Sequence, residues 1–484
     1  MLTTYYKGCA LVIAAVLATA AMAGHVPSWG LVVAPKWLAI EVLAAVGCVL
    51  LITDRARLDV VDMVAGMMLA WAAASIAWTP DVAQYTHQMF HATALLILFI
   101  LVRRVDQDFL ITAMSWAAAA AIIVASVSDI LRPDWRGGFG NDNLVSEMIL
   151  VALPWAVWRV PWVIRSAVVI AAAYQLWDNP SHSEFVAFAG MVAFAICAWR
   201  RRVMTTDLLI IALGLSVVLL VVLWSSTELQ TSLRFRWEFA QTTLRMWWAA
   251  PLIGQGFGGY LYQYPFFATA PFTEVVTPGT VVEAAHNEYL QLLSDLGLVG
   301  FGIVTIFAVM VLKRCVGIGP HCFSLAALAT LALVSFPLQN PATAFMAVVG
   351  LGVMAPAFGR ARRSALRRLV LPGLMAVTIA IVGYYGIKEA KAEQMHMIAE
   401  NVKREVPKLA YQLERMALRE YPFYNLRRIV LFPALMRWVR LGPKHGVPPK
   451  KFGEAMLVST LASPRSNPVV LTTLEYAAMR GHLK

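Results

Sequence analysis

Residues 225–301 read SSTELQTSLRFRWEFAQTTLRMWWAAPLIGQGFGGYLYQYPFFATAPFTEVVTPGTVVEAAHNEYLQLLSDLGLVGF, between apolar runs near 207–224 and 296–312. The chain of 484 residues is 60% hydrophobic and 14% charged, whereas a soluble domain carries about a quarter charged residues. That composition belongs to a polytopic membrane protein, and the quoted stretch is where the chain leaves lipid in mid-sequence. Three pieces of it carry chemistry: the arginines Arg234, Arg236 and Arg245, the turn Pro251–Gly258, and His286-Asn287-Glu288-Tyr289-Leu290 leading into the next span.

A helix needs about 20 apolar residues to cross the hydrocarbon core. Working outward, spans are expected near 8–24, 36–53, 60–78, 90–102, 109–131, 144–158, 162–177, 184–199, 207–224, 296–312, 321–339, 341–358 and 369–387. The expected fold is therefore all-α, with about 12–13 transmembrane helices, a large outer loop and a small helical domain at the C-terminus. This divides the chain into N-terminal transmembrane helices (1–224), a loop domain (225–288), C-terminal transmembrane helices (289–387) and a tail (388–484). Lys7, the following apolar run and Ala21-Met22-Ala23 before Gly24 fit either a cleaved leader or a first span, and the second is preferred.

Orientation follows from the cations. Arg55 and Arg57, Arg103 and Arg104, Arg159 and Arg165, Arg200 to Arg202, Lys313 and Arg314, and the cluster from Arg360 to Arg368 fall in alternate connections. This positive-inside pattern places those loops in the cytoplasm and puts 225–288 and the tail on the outer face, the periplasm of a Gram-negative cell. The formal net charge of +12 is thus explained by loop anchoring, and nucleic-acid binding is not expected. The cysteines Cys9, Cys48, Cys197, Cys315 and Cys322 show no paired or metal-like spacing. From Lys388 onward the pattern turns to amphipathic helices broken at Pro407, Pro422 and later prolines.

Arginines on an outer face call for a reason. At 100° per residue Arg234 and Arg245 project from one side of a helix over 232–249, and Arg236 from the other. The planar guanidinium suits phosphate oxygens, although an interfacial helix meeting lipid headgroups would show the same residues. Arg136 lies in the glycine-rich segment Arg132-Pro-Asp-Trp-Arg136-Gly-Gly-Phe-Gly-Asn141-Asp-Asn143, where flexible backbone can approach an anion closely. The turn Pro251–Gly259 is glycine-rich but is neither a Walker loop nor a dinucleotide fingerprint. It feeds the aromatic run Tyr260, Tyr262, Tyr264, Phe266 and Phe267, suited to contact with lipid or sugar faces. His286 can take a proton or hold a hydrogen bond, positioned by Glu283 or Asn287.

The combination of Arg236, the Pro251-Leu-Ile-Gly-Gln-Gly-Phe-Gly motif fifteen residues on, Ala285-His286-Asn287-Glu288-Tyr289-Leu290-Gln291 and Leu296-Gly297-Leu298-Val299-Gly300 resembles the O-antigen ligase and polymerase superfamily. That superfamily also includes bacterial protein O-oligosaccharyltransferases. The resemblance implies a metal-independent glycosyltransferase without cofactor, taking a glycan from an undecaprenyl-diphosphate carrier to an acceptor hydroxyl on a glycolipid, glycan or protein, with membrane lipids around it. It makes His286 and Arg236 the catalytic expectations, Arg136, Arg234 and Arg245 the diphosphate ligands, and Glu283, Asn287 and Asn141 supporting residues. Ligase, repeat-unit polymerase and protein glycosylation stay open. A lipid-linked glycan flippase is the alternative from another class, expected to show internal repeats and mid-span charges; Glu41, Asp129 and Glu147 are the few acids in or near spans, with no repeat pairing them.

Overall fold

The computed structural model describes residues 34–53, 58–131, 142–178, 187–194, 227–268, 282, 284–315, 318–357 and, with gaps, 384–421. Outside the described residues lie the spans expected near 8–24 and 207–224, most of that near 369–387, the loop with Arg136 and Asn141, Glu283, and the tail beyond 421. The described residues are helical and irregular, with no strand among them.

Among the described residues, the α-helices that carry the architecture are α1 (Ala34–Thr53), α2 (Val60–Ala74), α3 (Val82–Val102), α4 (Gln107–Leu131), α5 (Asp142–Ala156), α6 (Trp162–Asp178), α7 (Thr227–Ala249), α8 (Tyr260–Phe267), α9 (Glu288–Lys313), α10 (Pro320–Leu331), α11 (Pro341–Met354) and α12 (Pro407–Glu420). Among the described residues, four stretches are long and apolar enough to cross a membrane: Val60–Ala77, Gln84–Val102, Gln107–Ile130 and Glu288–Lys313. Asn143–Ala156, Trp162–Leu176, Pro320–Leu331 and Pro341–Met354 are shorter apolar helices. The chain is an all-α polytopic membrane protein.

Its centre is built by α4 against α5 and α6, α10 against α5 and α11, and α1 and α11 against α3. Leu98, Met114, Ile149, Trp155 and Phe345 are fully buried there. Large apolar residues also point outward, Trp162 at 76% and Ile170 at 70% exposure, as a lipid-facing surface requires. Hydrocarbon offers no hydrogen bonds, so polar groups among the helices find partners within the protein. Ser324 Oγ donates to Val151 O at 2.7 Å, Ser126 Oγ to Ala171 O at 3.1 Å, and Gln175 Nε2 to Asp129 Oδ2 at 3.1 Å.

Cations in the connections between helices also fasten helices together. Asp59 caps α2, its carboxylate accepting from Val61 N (2.9 Å) and Asp62 N (3.0 Å), and Asp62 returns a bond to Asp59 N. The buried Arg103 bonds both aspartates and donates Nε to Ala355 O at 2.6 Å. Arg104 pairs with Asp62 and Arg314 with Asp59. One ionic knot thus joins the ends of α2, α3, α9 and α11.

Three local features differ from the sequence expectation. The run 321–339 is not one helix: α10 stops at Leu331 and 332–340 is irregular, because Pro337 has no amide to donate and Asn340 caps α11 by accepting from Ala342 N, with Pro341 opening that helix. Two of the five residues in the aromatic run turn inward, since α8 is helical and puts Tyr260 and Tyr264 on one buried face. Cys315 and Cys322 come together across the loop before α10, with sulfurs 3.9 Å apart.

Candidate active site

Helix α7 has two unlike faces. Arg234, Trp237, Arg245 and Trp248 are exposed along one, while Glu238, Phe239, Thr242, Thr243 and Met246 are buried. Arg236 points inward and is half-buried, as the 100° step implies. The structure therefore does not gather Arg234 and Arg245 with Arg236; they share the outer face with two tryptophans.

The glycine turn that follows is a joint. Gly254, Gly256 and Gly258 all have positive φ, and α9 is broken at Gly297 (φ 66°, ψ −172°). The two irregularities bond to each other: Gln255 N to Ser294 O at 2.8 Å, Gly256 N to Asp295 O at 2.9 Å, Leu298 N to Pro251 O at 2.9 Å and Val299 N to Leu252 O at 3.1 Å. A Cβ on Gly254 would strike Asp295 O, and one on Gly297 would strike Leu252 O. Phe257 N bonds Ser75 Oγ at 2.9 Å, and Gly258 N serves the Asp295 carboxylate. The turn's amides are taken up by protein partners, so its glycines serve close packing.

That joint sets the direction from which 282–287 reaches α9. Val282 N donates to Tyr264 OH at 3.3 Å and Ala285 N to Gln291 Oε1 at 2.9 Å. Asn287 caps α9, its Oδ1 accepting from Leu290 N at 3.0 Å, while its Nδ2 donates to Leu333 O at 3.0 Å. Between these anchors His286 is held at φ 52°, a region few non-glycine residues occupy. Its ring stacks on Phe239 (centroids 5.1 Å, 13°) and meets Phe336 edge-on (4.9 Å, 77°). Neither ring nitrogen has a hydrogen-bond partner among the described residues. Glu283 is outside the described residues, and Asn287 serves the cap and the turn.

The irregular segment 332–340 unites the site. Its Val334 O accepts from Arg236 Nε at 3.0 Å, Leu333 O from Asn287, and Ala332 O from Glu288 N at 2.9 Å. Its Leu338 N donates to Glu288 Oε1 at 2.9 Å. Ser335 Oγ bonds Oε1 of Glu147 on α5, a carboxylate only 1% exposed that interacts with Arg236. Burial lowers the Arg236 pKa, and the nearby Glu147 opposes that shift. Burial first, and then the Arg236 charge, bring His286 down from 6.5 to about 4. The imidazole is thus neutral at physiological pH. Arg136 and Asn141 are outside the described residues; Asn143, from the end of their segment, lies one turn before Glu147 on α5.

Sequence reasoning gave no site role to Phe239, Glu147, Glu288, Ser335 or Phe336. Glu147 had a signal, since an acid within an apolar run needs a cation partner. The phenylalanines had none, because apolar residues beside spans are ordinary.

These features define a multi-pass helical membrane protein in which a guanidinium, a neutral imidazole and a buried carboxylate meet at one irregular segment. Residues 167–305, less than a third of the chain, match the family model described as O-antigen ligase. The match supports similarity to the O-antigen ligase and polymerase superfamily, whose members are glycosyltransferase-like enzymes. It takes in α7, the glycine joint, His286 and the first part of α9. No curated protein matches the chain.

Proposed function

We propose that this protein transfers a glycan from an undecaprenyl-diphosphate carrier to an acceptor hydroxyl at the periplasmic side of the cytoplasmic membrane. The observation that carries the reading is the meeting of Arg236 and His286 at the 332–340 segment, on the stretch that matches the family model. In the reaction the acceptor oxygen bonds the anomeric carbon while the bond from that carbon to the carrier diphosphate breaks. Negative charge grows on the leaving diphosphate, and a fixed guanidinium beside it lowers the barrier without needing a metal ion. Arg236 takes that role, held in direction by Val334 O with Glu147 close by, its guanidinium charged as arginine is in proteins. The neutral His286 receives the hydrogen bond, and then the proton, of the acceptor hydroxyl. Phe239 and Phe336 fix its ring. Arg136 is assigned a second contact to the diphosphate, and the outer Arg234 and Arg245 the approach of the anionic carrier.

The test uses purified full-length protein with a lipid-diphosphate oligosaccharide and three acceptors offered separately: lipid A core, a second lipid-linked repeat unit, and a pilin-like protein. Transfer to one acceptor is expected, reduced about 10²–10³-fold in Arg236→Ala and about 10²–10⁴-fold in His286→Ala, at unchanged protein yield. Carrier binding without transfer to any acceptor would favour a lipid-linked glycan flippase.

A further inference from the structure

Away from this site, α3 carries His87 and His91, one helical turn apart and directed at each other. Their Nε2 atoms are 3.3 Å apart. An ion bound tetrahedrally to two imidazoles at about 2.0–2.1 Å holds the nitrogens about 3.3–3.4 Å apart. The opposite nitrogens are anchored: His91 Nδ1 bonds Glu41 Oε1 of α1 at 3.1 Å, and His87 Nδ1 bonds the Tyr421 hydroxyl at 3.3 Å. A carboxylate on the far nitrogen fixes the tautomer and orientation of a metal-bound histidine. Trp37 stacks on His91 (centroids 3.8 Å, 16°) and holds the ring in plane. Glu389, only 7% exposed, brings a carboxylate that lies with the two imidazoles within 4.8 Å.

We propose that His87, His91 and Glu389 form a structural site for a divalent transition metal, zinc foremost, which fastens the C-terminal segment to the membrane helices α1 and α3. Two ligands stand on α3 and the third follows the last span in sequence, while Tyr421 ends α12. Borderline-soft zinc accepts this mixed nitrogen and oxygen set. The inference is independent of the transfer reaction and predicts a structural effect.

The experiment uses the full chain in detergent, stripped with chelator, exposed to zinc or cobalt(II) alone and desalted. About one ion per chain is expected. The cobalt form should show tetrahedral visible bands without thiolate charge transfer, which separates this site from the Cys315, His321 and Cys322 group that also clusters within 4.8 Å. The ion should persist in Cys315→Ser, bind more weakly in Glu389→Gln and vanish in His87→Gln/His91→Gln. Zinc should also slow tryptic cleavage of the tail. No metal above the buffer blank on monodisperse protein, a thiolate band, or equal metal in the double variant would each overturn the proposal. The wild-type cobalt spectrum decides the matter if the double variant does not fold.

Discussion

His286 shows how one residue's surroundings set its chemistry. A free imidazole protonates near 6.5, but burial and Arg236 keep this one neutral down to about 4. Stability from keeping the ring neutral is present above pH 6.5 and declines as pH falls from there toward 4, where the unfolded chain binds a proton that the folded chain refuses. The profile of kcat/KM reports the free enzyme, so it should stay flat from about pH 8 down to about 5.5 with respect to this group. An acid limb centred near 6.5 and absent in His286→Gln would contradict the assignment. At this scale the helical step alone showed that Arg236 faces away from Arg234 and Arg245, but not which side is buried. Its buried partner Glu147 was visible only as an acid in an apolar run, because nothing in one sequence shows which helix lies beside which.

Among the elements, the glycine joint makes the sharpest expectation. Gly297 needs a left-handed backbone and has no room for a Cβ against Leu252 O, so Gly297→Ala should cost at least about 1–3 kcal/mol. A melt in detergent should show the loss, together with reduced activity, whereas Gly302→Ala, with open space at its Cβ, should melt like the parent. Both glycine motifs were plain in the sequence, but their mutual pairing was not, since it joins backbone atoms some forty residues apart. The end of α10 was misread for a related reason. Hydropathy counts side chains, and 332–340 is apolar enough to pass for a helix. Its course is decided by Pro337, the Asn340 cap and the polar groups that its main chain serves.

For the whole molecule, the knot of Asp59, Asp62, Arg103, Arg104 and Arg314 ties helix ends that no short loop connects. Burial works to raise the Asp59 pKa, yet the hydrogen bonds from Arg103, the Asp62 backbone and Arg314 outweigh it and hold the carboxyl well below its usual range. Removing Arg103 takes one of two arginine partners from Asp62, whose side chain is wholly buried, and leaves only Arg104. Arg103→Ala should therefore destabilise by about 3–5 kcal/mol, read as lost monodisperse protein and a lower melting temperature. A normal melt would contradict the role assigned to the knot. Composition and hydropathy made the membrane class and the helical fold legible, and charge order picked out the arginine clusters between spans. They could not show that Arg103, Arg104 and Arg314 also act as structural partners, because a loop cation reads the same whether it faces water or a buried aspartate.

Arg236, Asn287 and Glu288 all lean on the 332–334 carbonyls, which every amino acid possesses. A scan that trims side chains would score Ala332, Leu333 and Val334 as inert, although Val334 O orients the proposed catalytic arginine and the other two carbonyls hold Glu288 and Asn287. Their contribution becomes visible when the polypeptide itself is edited. Proline at 335, which removes the Ser335 side chain and forces Val334 out of its conformation, should silence transfer, while Leu333→Ala and Val334→Ala keep most of it.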